Sequence, residues 1–247
     1  MSNVQINDNL ICICGESASG KSQSLSGLRN PEGVMYLNTE AGKKLPFKNS
    51  FKTFNITDPF QVYEGFDEAE KMPEIHTIVI DSSTYLMDMF ESIYVRPATD
   101  GRKAWGEFAH FWKDLLQIKV ARSTKNVIVT AHTLSELNEQ THTMEVKIPV
   151  KGQLKNNGIE SYFSCVIATK KSTVKALETY KSDLLSINEE EDEIGLKYVY
   201  QTRLTKETVG ERIRSPIELF SKDETFINND IQAVLDRLHN YYSTTVV

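Results

Sequence analysis

The chain has 247 residues, of which 40% are hydrophobic and 25% are charged, and its formal net charge is −6. This composition is ordinary for a soluble globular protein, and no stretch approaches the roughly 18 consecutive apolar residues of a membrane helix. The first ten residues contain neither a basic segment nor an apolar core, so we expect a cytoplasmic protein without a secretory signal or a membrane partner. The acidic balance excludes a surface that holds nucleic acid everywhere by charge, so any nucleic-acid site must be local.

Five short apolar runs divide the chain and predict strands buried on both faces, because their hydrophobicity is continuous rather than alternating. Helical patterns lie between them, and the clearest is WGEFAHFWKDLLQIKV (105–120), whose large apolar residues form one stripe. Alternating strands and helices favour a mainly parallel sheet flanked by helices. The three cysteines lie within these runs and are interpreted as core residues rather than metal ligands. The runs are LICIC (10–14), VMYL (34–37), TIVI (77–80), NVIVTA (126–131) and CVIAT (165–169).

The pattern changes after about residue 170. Alternation in KYVYQTRL (197–204) predicts a half-exposed strand, and the acidic run NEEEDE (188–193) is interpreted as a solvated hairpin loop. Antiparallel strands here would extend the sheet. A closing amphipathic helix is predicted at about 226–242. We therefore predict an α/β protein with one domain over 1–247 and a core at about 8–215.

Residues 15–22, GESASGKS, fit the phosphate-loop pattern G-x-x-x-x-G-K-[ST]. The pattern requires a buried strand before the loop and a helix after it, and we expect that helix over KSQSLSGLR (21–29). In this setting backbone N–H groups face the phosphates, Lys21 reaches the β and γ oxygens, and Ser22 can ligate Mg²⁺. The predicted nucleotide-binding residues are Gly15, Glu16, Ser17, Ala18, Ser19, Gly20, Lys21, Ser22 and Gln23.

Polar residues end three neighbouring strands. Asp81 follows TIVI and is the predicted second ligand of Mg²⁺. The next residue is Ser82 rather than a glutamate, so the residue that activates water is assigned to Glu40, whose strand end faces the same crevice in a doubly wound sheet. His132 ends NVIVTAH and is a candidate sensor of the γ-phosphate, with a purely structural hydrogen bond as the alternative. No guanine-specifying motif follows a strand, which leaves ATP as the expected nucleotide.

This order of strand-end residues resembles the ATPase core of the RecA-like recombinases over about residues 8–215. YLNTEAGKKL (36–45) looks like the segment in which that family carries its catalytic glutamate, and VIDSSTYL (79–86) is similar to its magnesium strand. IVTAHT (128–133) and TRLTKETVGERIRSP (202–216) look still more like the RecA-like single-strand annealing ATPases of bacteriophages, the Sak group. The resemblance implies a RecA-like P-loop NTPase fold with C-terminal antiparallel strands, Mg²⁺-dependent ATP hydrolysis, and a place in the host cytoplasm if the chain is phage-encoded.

The resemblance also implies two DNA-binding loops, at 94–103 and 134–158. Each is polar and carries local positive charge, which suits tracking of a single-stranded backbone, although ordinary solvated loops are the alternative. The implied DNA contacts are Arg96, Arg102, Lys103, Lys147, Lys151 and Lys155.

A head-to-tail homo-oligomer is the further implication of the resemblance. Arg203 and Lys206, with Arg212 and Arg214 as neighbours, match the cations that the family places against the γ-phosphate of an adjacent subunit. Such contacts generate rings or filaments with ATP at the subunit interfaces. The larger recombinases carry an N-terminal polymerisation segment that we do not find here, so stable filaments without DNA are not expected.

The leading hypothesis is therefore an ATP-dependent phage recombination protein that binds and anneals single-stranded DNA. A DNA-translocating ATPase motor of the helicase or packaging type is one alternative, and a nucleotide-gated binding module with little turnover is another. A phage single-strand-binding protein or nuclease is the further partner expected of such a system.

Overall fold

Eight strands form one central sheet in the computed structural model, which describes residues 7–139, 142–156 and 158–243. The described strands are β1 (Leu10–Gly15), β2 (Val34–Asn38), β3 (Lys52–Asn55), β4 (Thr77–Asp81), β5 (Asn126–His132), β6 (Leu134–Asn138), β7 (Thr143–Lys147), β8 (Cys165–Thr173), β9 (Leu196–Gln201) and β10 (Phe226–Asn228). The described α-helices are α1 (Gln61–Lys71), α2 (Ser83–Phe90), α3 (Gly101–Asp114), α4 (Val174–Leu177), α5 (Glu189–Ile194) and α6 (Ile231–Ser243).

The sheet order is β10-β9-β8-β1-β5-β4-β2-β3, and β6 pairs with β7 in a separate hairpin. All neighbours from β8 to β3 are parallel, whereas β9 is antiparallel to β8 and β10 is antiparallel to β9. This confirms the predicted fold class, a mainly parallel sheet flanked by helices with antiparallel strands near the C-terminal end. No helix in the described part of the chain is long and apolar enough to span a bilayer.

Two apolar layers cover the sheet, one on each face. Successive residues of β1 point to opposite layers, so Ile11 and Ile13 pack with the layer of α6, while Cys12 packs with the layer of α1, α2 and α3. The cysteines are buried core residues, as predicted, and burial raises the pKa of the Cys14 thiol to about 12. A thiol so weakly acidic is unreactive at neutral pH.

The predicted amphipathic helix at 105–120 is confirmed as α3 and a π-helical continuation over Leu115–Val120. The Asp100 side chain caps its first turn by accepting a hydrogen bond from Lys103 N at 3.1 Å. Trp112 is 1% exposed, so this residue of the stripe is core rather than a platform for stacking bases.

The prediction of a helix over residues 21–29, after the phosphate loop, is wrong in length. The structure has only a 3-10 turn over Gln23–Gly27. Serine and glycine are weak helix formers. Ser24 Oγ also donates to Lys21 O at 2.6 Å and so competes with the backbone for that carbonyl. The loop is therefore followed by a turn whose position depends on tertiary contacts.

The acidic run 188–193, expected as a loop, forms the short helix α5. Asn188 and Glu191 make a reciprocal capping box, and Gly195 ends the helix at a φ of +74°. Acidic residues in the first turn also interact favourably with the helix dipole. Charge alone does not distinguish a loop from this helix, whereas the capping pattern N-x-x-E at 188–191 marks where the helix begins.

The closing helix begins at Ile231 rather than at about 226, because Phe226–Asn228 pair with β9 as the edge strand β10. The predicted strand in 197–204 is confirmed as β9 and ends at Gln201. The polar segment 134–158 contains the β6–β7 hairpin, which the sequence did not predict. Gln140, Thr141 and Asn157 of that segment lie outside the described residues.

A substitution at Phe66 tests the packing of α1 against the sheet. Phe66→Ala should lower the free energy of unfolding by about 3–5 kcal/mol, because the side chain is 1% exposed and its removal leaves a cavity. Phe54→Ala, at a site that is 47% exposed, should change it by about 0.5 kcal/mol or less. Urea denaturation measures both, and equal losses for the two variants would contradict this packing.

Candidate nucleotide-binding site

The phosphate loop, Glu40, Asp81 and His132 meet because four parallel strands end at the same edge of the sheet. In the register of the sheet Gly15 lies beside His132, and Asn38 lies beside Asp81. The order β1-β5-β4-β2 therefore brings the phosphate loop, His132, Asp81 and the loop after β2 into one row. A crevice at the carboxyl ends of such strands is the usual ligand site of doubly wound sheets.

The phosphate loop curls around the Lys21 side chain. Lys21 Nζ donates to Gly15 O at 2.9 Å and to Glu16 O at 2.7 Å, and Lys21 is 7% exposed. Burial lowers the pKa of this ammonium, with the nearby Asp81 charge acting in the opposite direction. The resting loop is thus held together by the cation that is predicted to contact phosphate.

The nine predicted nucleotide-binding residues divide between two sides of the loop. One side is a cleft of about 400 Å³ lined by Ser17, Ala18, Gly20, Lys21, Ser22 and Gln23, together with Glu40, Asp81 and His132. Gly15, Glu16 and Ser19 line the cavity on the other side, which Ser17 also contacts, and there Ser19 Oγ lies 2.5 Å from Thr169 Oγ1. In this structure Ser19 therefore stabilises the loop against β8.

Asp81 lies at the centre of the site and is 2% exposed. Its Oδ2 accepts hydrogen bonds from Ser22 Oγ at 2.9 Å and from Tyr36 OH at 2.7 Å, while Thr130 Oγ1 donates to Oδ1. Burial, and secondarily the Asp81 charge, raise the pKa of the Tyr36 phenol, which keeps the phenol protonated as a donor. One carboxylate thus links the phosphate loop with β2, β4 and β5.

The Ser22 and Asp81 pair fits the requirements of Mg²⁺. Both side chains offer hard oxygen atoms, and these atoms lie 2.9 Å apart at the edge of the cleft. The described residues contain no group of three or more His, Cys, Asp or Glu side chains that could hold a metal ion by themselves. Mg²⁺ commonly binds through one or two protein side chains plus water and substrate phosphates, so this sparse donor set suits it.

Glu40 is brought to the cleft by the residue before it. Thr39 N donates to Asp81 O at 2.9 Å, and Thr39 Oγ1 donates to Ser82 O at 2.8 Å, so the chain is fixed to β4 immediately before Glu40. The Glu40 side chain is 8% exposed, with Oε1 lying 3.5 Å from His132 Nε2 and Oε2 accepting from Lys43 Nζ at 2.8 Å. The hydrogen bond from His132, assisted by Lys43 and opposed by burial, lowers the pKa of Glu40 to about 2. Glu40 is therefore ionised at neutral pH.

His132 connects the two sides of the cleft. Its Nε2 faces Glu40, its Nδ1 lies 3.5 Å from Lys21 Nζ, and its backbone N donates to Thr84 Oγ1 at 3.0 Å. The prediction that His132 lies beside the phosphate loop agrees with this placement. Its role as a γ-phosphate sensor stays a prediction.

Four of the six predicted DNA contacts lie within salt-bridge distance of a carboxylate. Lys151 Nζ lies 2.5 Å from Asp88 and also contacts Glu91, so its charge is neutralised within the protein. Arg96 pairs with Glu91 at 3.2 Å, and Lys147 pairs with Glu136 at 2.7 Å. Lys103 lies 3.9 Å from Glu107, at the limit of an ion pair. Arg102 and Lys155 have no ion pair among the described residues.

The two predicted DNA segments lie against the same helix. Gly152, in the segment after the hairpin, packs so closely on α3 that a Cβ there would lie 2.9 Å from Trp105 Cε3, and Arg102 is in the first turn of that helix. The fold therefore brings the two segments together. Of the six predicted DNA contacts in these segments, Arg102, Lys103 and Lys155 are exposed and have a weak ion pair or none among the described residues.

Arg203 and Lys206 do not line the nucleotide cleft of their own chain. They follow the end of β9 at Gln201, which pairs with Ala168 of β8, and neither of the two cations is among the residues that line the cleft. Both residues are exposed, and Arg203 Nη1 donates to Phe220 O at 2.7 Å. Their proposed contact with a neighbouring subunit stays a prediction.

Four further residues shape the cleft and are not predicted from the sequence, namely Tyr36, Lys43, Tyr198 and Asn229. Lys43 contacts Glu40, Tyr198 lines the wall beside Gly20, and Asn229 Nδ2 donates to Gly20 O at 2.9 Å. A hydroxyl within the apolar run VMYL was an available signal for Tyr36, but nothing local marks Tyr198 or Asn229, which are far from the loop in sequence.

A comparison with family models finds a match over residues 7–210 to a family described as an AAA domain. The chain belongs to this AAA domain family. The match indicates a P-loop ATPase, which binds a nucleotide and typically Mg²⁺. The matched part of the AAA domain includes the phosphate loop, Glu40, Asp81 and His132, and it ends before Asn229. Comparison with curated proteins found no match.

The low pKa of Glu40 predicts a stability that depends on pH. Its folded pKa of about 2 lies below the ordinary unfolded value of about 4.3, so the stabilisation is complete above about pH 5 and is lost as the pH falls towards 2. Glu40→Gln lacks this titration. The difference in unfolding free energy between wild type and variant should therefore shrink by about 1–2 kcal/mol between pH 6 and pH 3.

Urea denaturation at several pH values measures that difference. Glu190→Gln, at an exposed acid of α5, controls for the loss of one negative charge. A Glu40→Gln difference that stays constant over this pH range would contradict the proposed environment of the carboxylate.

Proposed function

We propose that this AAA domain is a phage-type recombination ATPase that binds and anneals single-stranded DNA, working as a homo-oligomer with ATP between its subunits. The observation that carries the ATPase part is the single cleft in which Glu40, from the loop after β2, faces the phosphate loop and Asp81. The recombination part is supported by the resemblance of the strand-end residues to RecA-like annealing ATPases. In these enzymes, as in this proposal, the catalytic glutamate and the magnesium aspartate come from different segments of the chain, here Glu40 after β2 and Asp81 at the end of β4.

Four residues of the cleft have a chemical role in this proposal. Lys21 would exchange its bonds to Gly15 O and Glu16 O for phosphate oxygens, and the loop N–H groups would bind the same phosphates. Mg²⁺, held by Ser22 and Asp81, would neutralise the negative charge of the β and γ oxygens. Glu40 would accept a hydrogen bond from the attacking water and orient it towards the γ-phosphorus. A carboxylate with a pKa of about 2 is a weak base, so orientation rather than early proton removal is its main contribution.

The DNA-binding part rests on the surface that follows His132. The hairpin β6–β7 begins two residues after His132, so a change beside the phosphates can reach it directly. Leu137 and Met144 of the hairpin are 58% and 54% exposed, which offers apolar contact to bases. Arg102, Lys103 and Lys155 supply positive charge on a protein of net charge −6. Local cations with apolar side chains suit a single-stranded backbone and its bases.

ATP turnover with and without single-stranded DNA, at low and high salt, tests this function. We expect DNA to stimulate turnover at low salt and the stimulation to fade at high salt, because counterion release weakens phosphate contacts. Lys21→Ala should abolish turnover and weaken DNA binding. Turnover that DNA never stimulates would overturn the recombination proposal and leave an ATPase with another target.

Two further readouts sharpen that experiment. Arg102→Ala combined with Lys155→Ala should lower the salt dependence of DNA binding by about one unit per lost phosphate contact, whereas Lys113→Ala, at an exposed lysine late in α3, should not. Annealing of complementary strands without unwinding supports the proposal. ATP-dependent strand displacement would instead indicate a translocating motor, and annealing unchanged in Lys21→Ala would make nucleotide turnover dispensable.

A further inference from the structure

The loop after β2 turns back so that Lys43 meets Glu40. Ala41 and Gly42 have φ values of +51° and +78°, two consecutive residues in the left-handed region, which reverses the chain within three residues. Lys43 N donates to Glu40 O at 3.1 Å, and Asn38 Nδ2 donates to Lys43 O at 2.9 Å. The turn is thus fixed at both ends, and it directs the Lys43 side chain into the cleft.

Both oxygens of the Glu40 carboxylate have a nitrogen partner. Oε2 accepts from Lys43 Nζ at 2.8 Å, and Oε1 lies 3.5 Å from His132 Nε2. Two contacts on different oxygens restrict rotation of the carboxylate about its last bond. The partners differ in exposure, since the Lys43 side chain is 69% exposed and the Glu40 side chain 8%. An exposed ion pair of this kind adds little stability. The effect of the contact that concerns us is that it fixes the orientation of the Glu40 carboxylate.

Three other titratable groups near Glu40 are engaged elsewhere. Lys21 is bonded to two loop carbonyls, and Tyr36 donates to Asp81. Tyr85 of α2 faces the ring of His132. Among the described residues around Glu40, Lys43 is thus the cation whose hydrogen bond goes to this carboxylate.

We propose that Lys43 is a positioning residue for ATP hydrolysis, which holds the Glu40 carboxylate in the orientation needed to direct the attacking water. The inference rests on the proposed role of Glu40. Without Lys43, Oε2 loses its donor and the carboxylate can rotate, and a small displacement of a water-orienting group is costly for catalysis. Lys43 acts through Glu40 in this proposal, and nucleotide affinity comes from the phosphate loop.

Steady-state ATP hydrolysis and nucleotide titrations of four proteins test this. Lys43→Ala should lower kcat by about tenfold to a hundredfold, with KM and nucleotide affinity within about twofold of wild type. Lys43→Arg keeps a donor of similar reach and should recover most of the activity. Lys48→Ala, an exposed lysine of the same loop, is the matched control and should behave as wild type. Lys43→Ala with a raised KM and an unchanged kcat would overturn the proposal, because Lys43 would then bind nucleotide directly.

A double-mutant cycle separates this proposal from the one on which it rests. If Lys43 acts through Glu40, adding Lys43→Ala to Glu40→Gln should cause no further loss in single-turnover hydrolysis. A further tenfold loss in that background would overturn the positioning role. An inactive Glu40→Gln beside a fully active Lys43→Ala would overturn only the role of Lys43. A fully active Glu40→Gln would overturn both.

Discussion

The buried Asp81 carboxylate is the interaction on which the rest of the site depends. Burying a charged group is costly unless donors compensate, and three hydroxyl groups from three other parts of the chain do so here. Ser22, Tyr36 and Thr130 belong to the phosphate loop, to β2 and to β5, so their bonds to one residue fix how these elements lie relative to each other. The same arrangement leaves a serine oxygen and a carboxylate oxygen together where a magnesium nucleotide would bind.

A second constraint comes from beyond the part of the chain that matches the AAA domain. Asn229 donates to Gly20 O, and Arg29 Nη2 lies 2.5 Å from Asp236 Oδ2 on α6. Because C=O and N–H of one peptide point in opposite directions, fixing Gly20 O also fixes the direction of Lys21 N–H. Asn229, just before α6, therefore supports the geometry of the phosphate loop, and α6 itself contacts Arg29 after the short turn that follows the loop.

The sequence was sufficient for the residues that end parallel strands. Asp81, Glu40 and His132 could be placed together because such strands share one edge, and this needs only the strand pattern and one motif. Lys43 was not predicted because its contact depends on two left-handed residues, and Asn229 was not because it is 209 residues from Gly20. The number of lysines in the segment 134–158 also could not show that the charge of Lys151 is neutralised. Its partners Asp88 and Glu91 belong to another part of the chain, and only the fold brings them together.

The most direct test of this account is the effect of Mg²⁺ on ATP affinity, measured by calorimetry for the wild type and for Asp81→Asn. The amide keeps the shape of the side chain, its one oxygen can still accept two of the three hydroxyl hydrogen bonds, and its NH2 group can donate to the third hydroxyl oxygen, but it lacks the charge that Mg²⁺ requires. We predict that Mg²⁺ tightens ATP binding to the wild type by about tenfold or more, equivalent to about 1.4 kcal/mol, and that it has little effect on Asp81→Asn. An undiminished Mg²⁺ effect in Asp81→Asn would contradict the assignment of Asp81 as the centre of the nucleotide site.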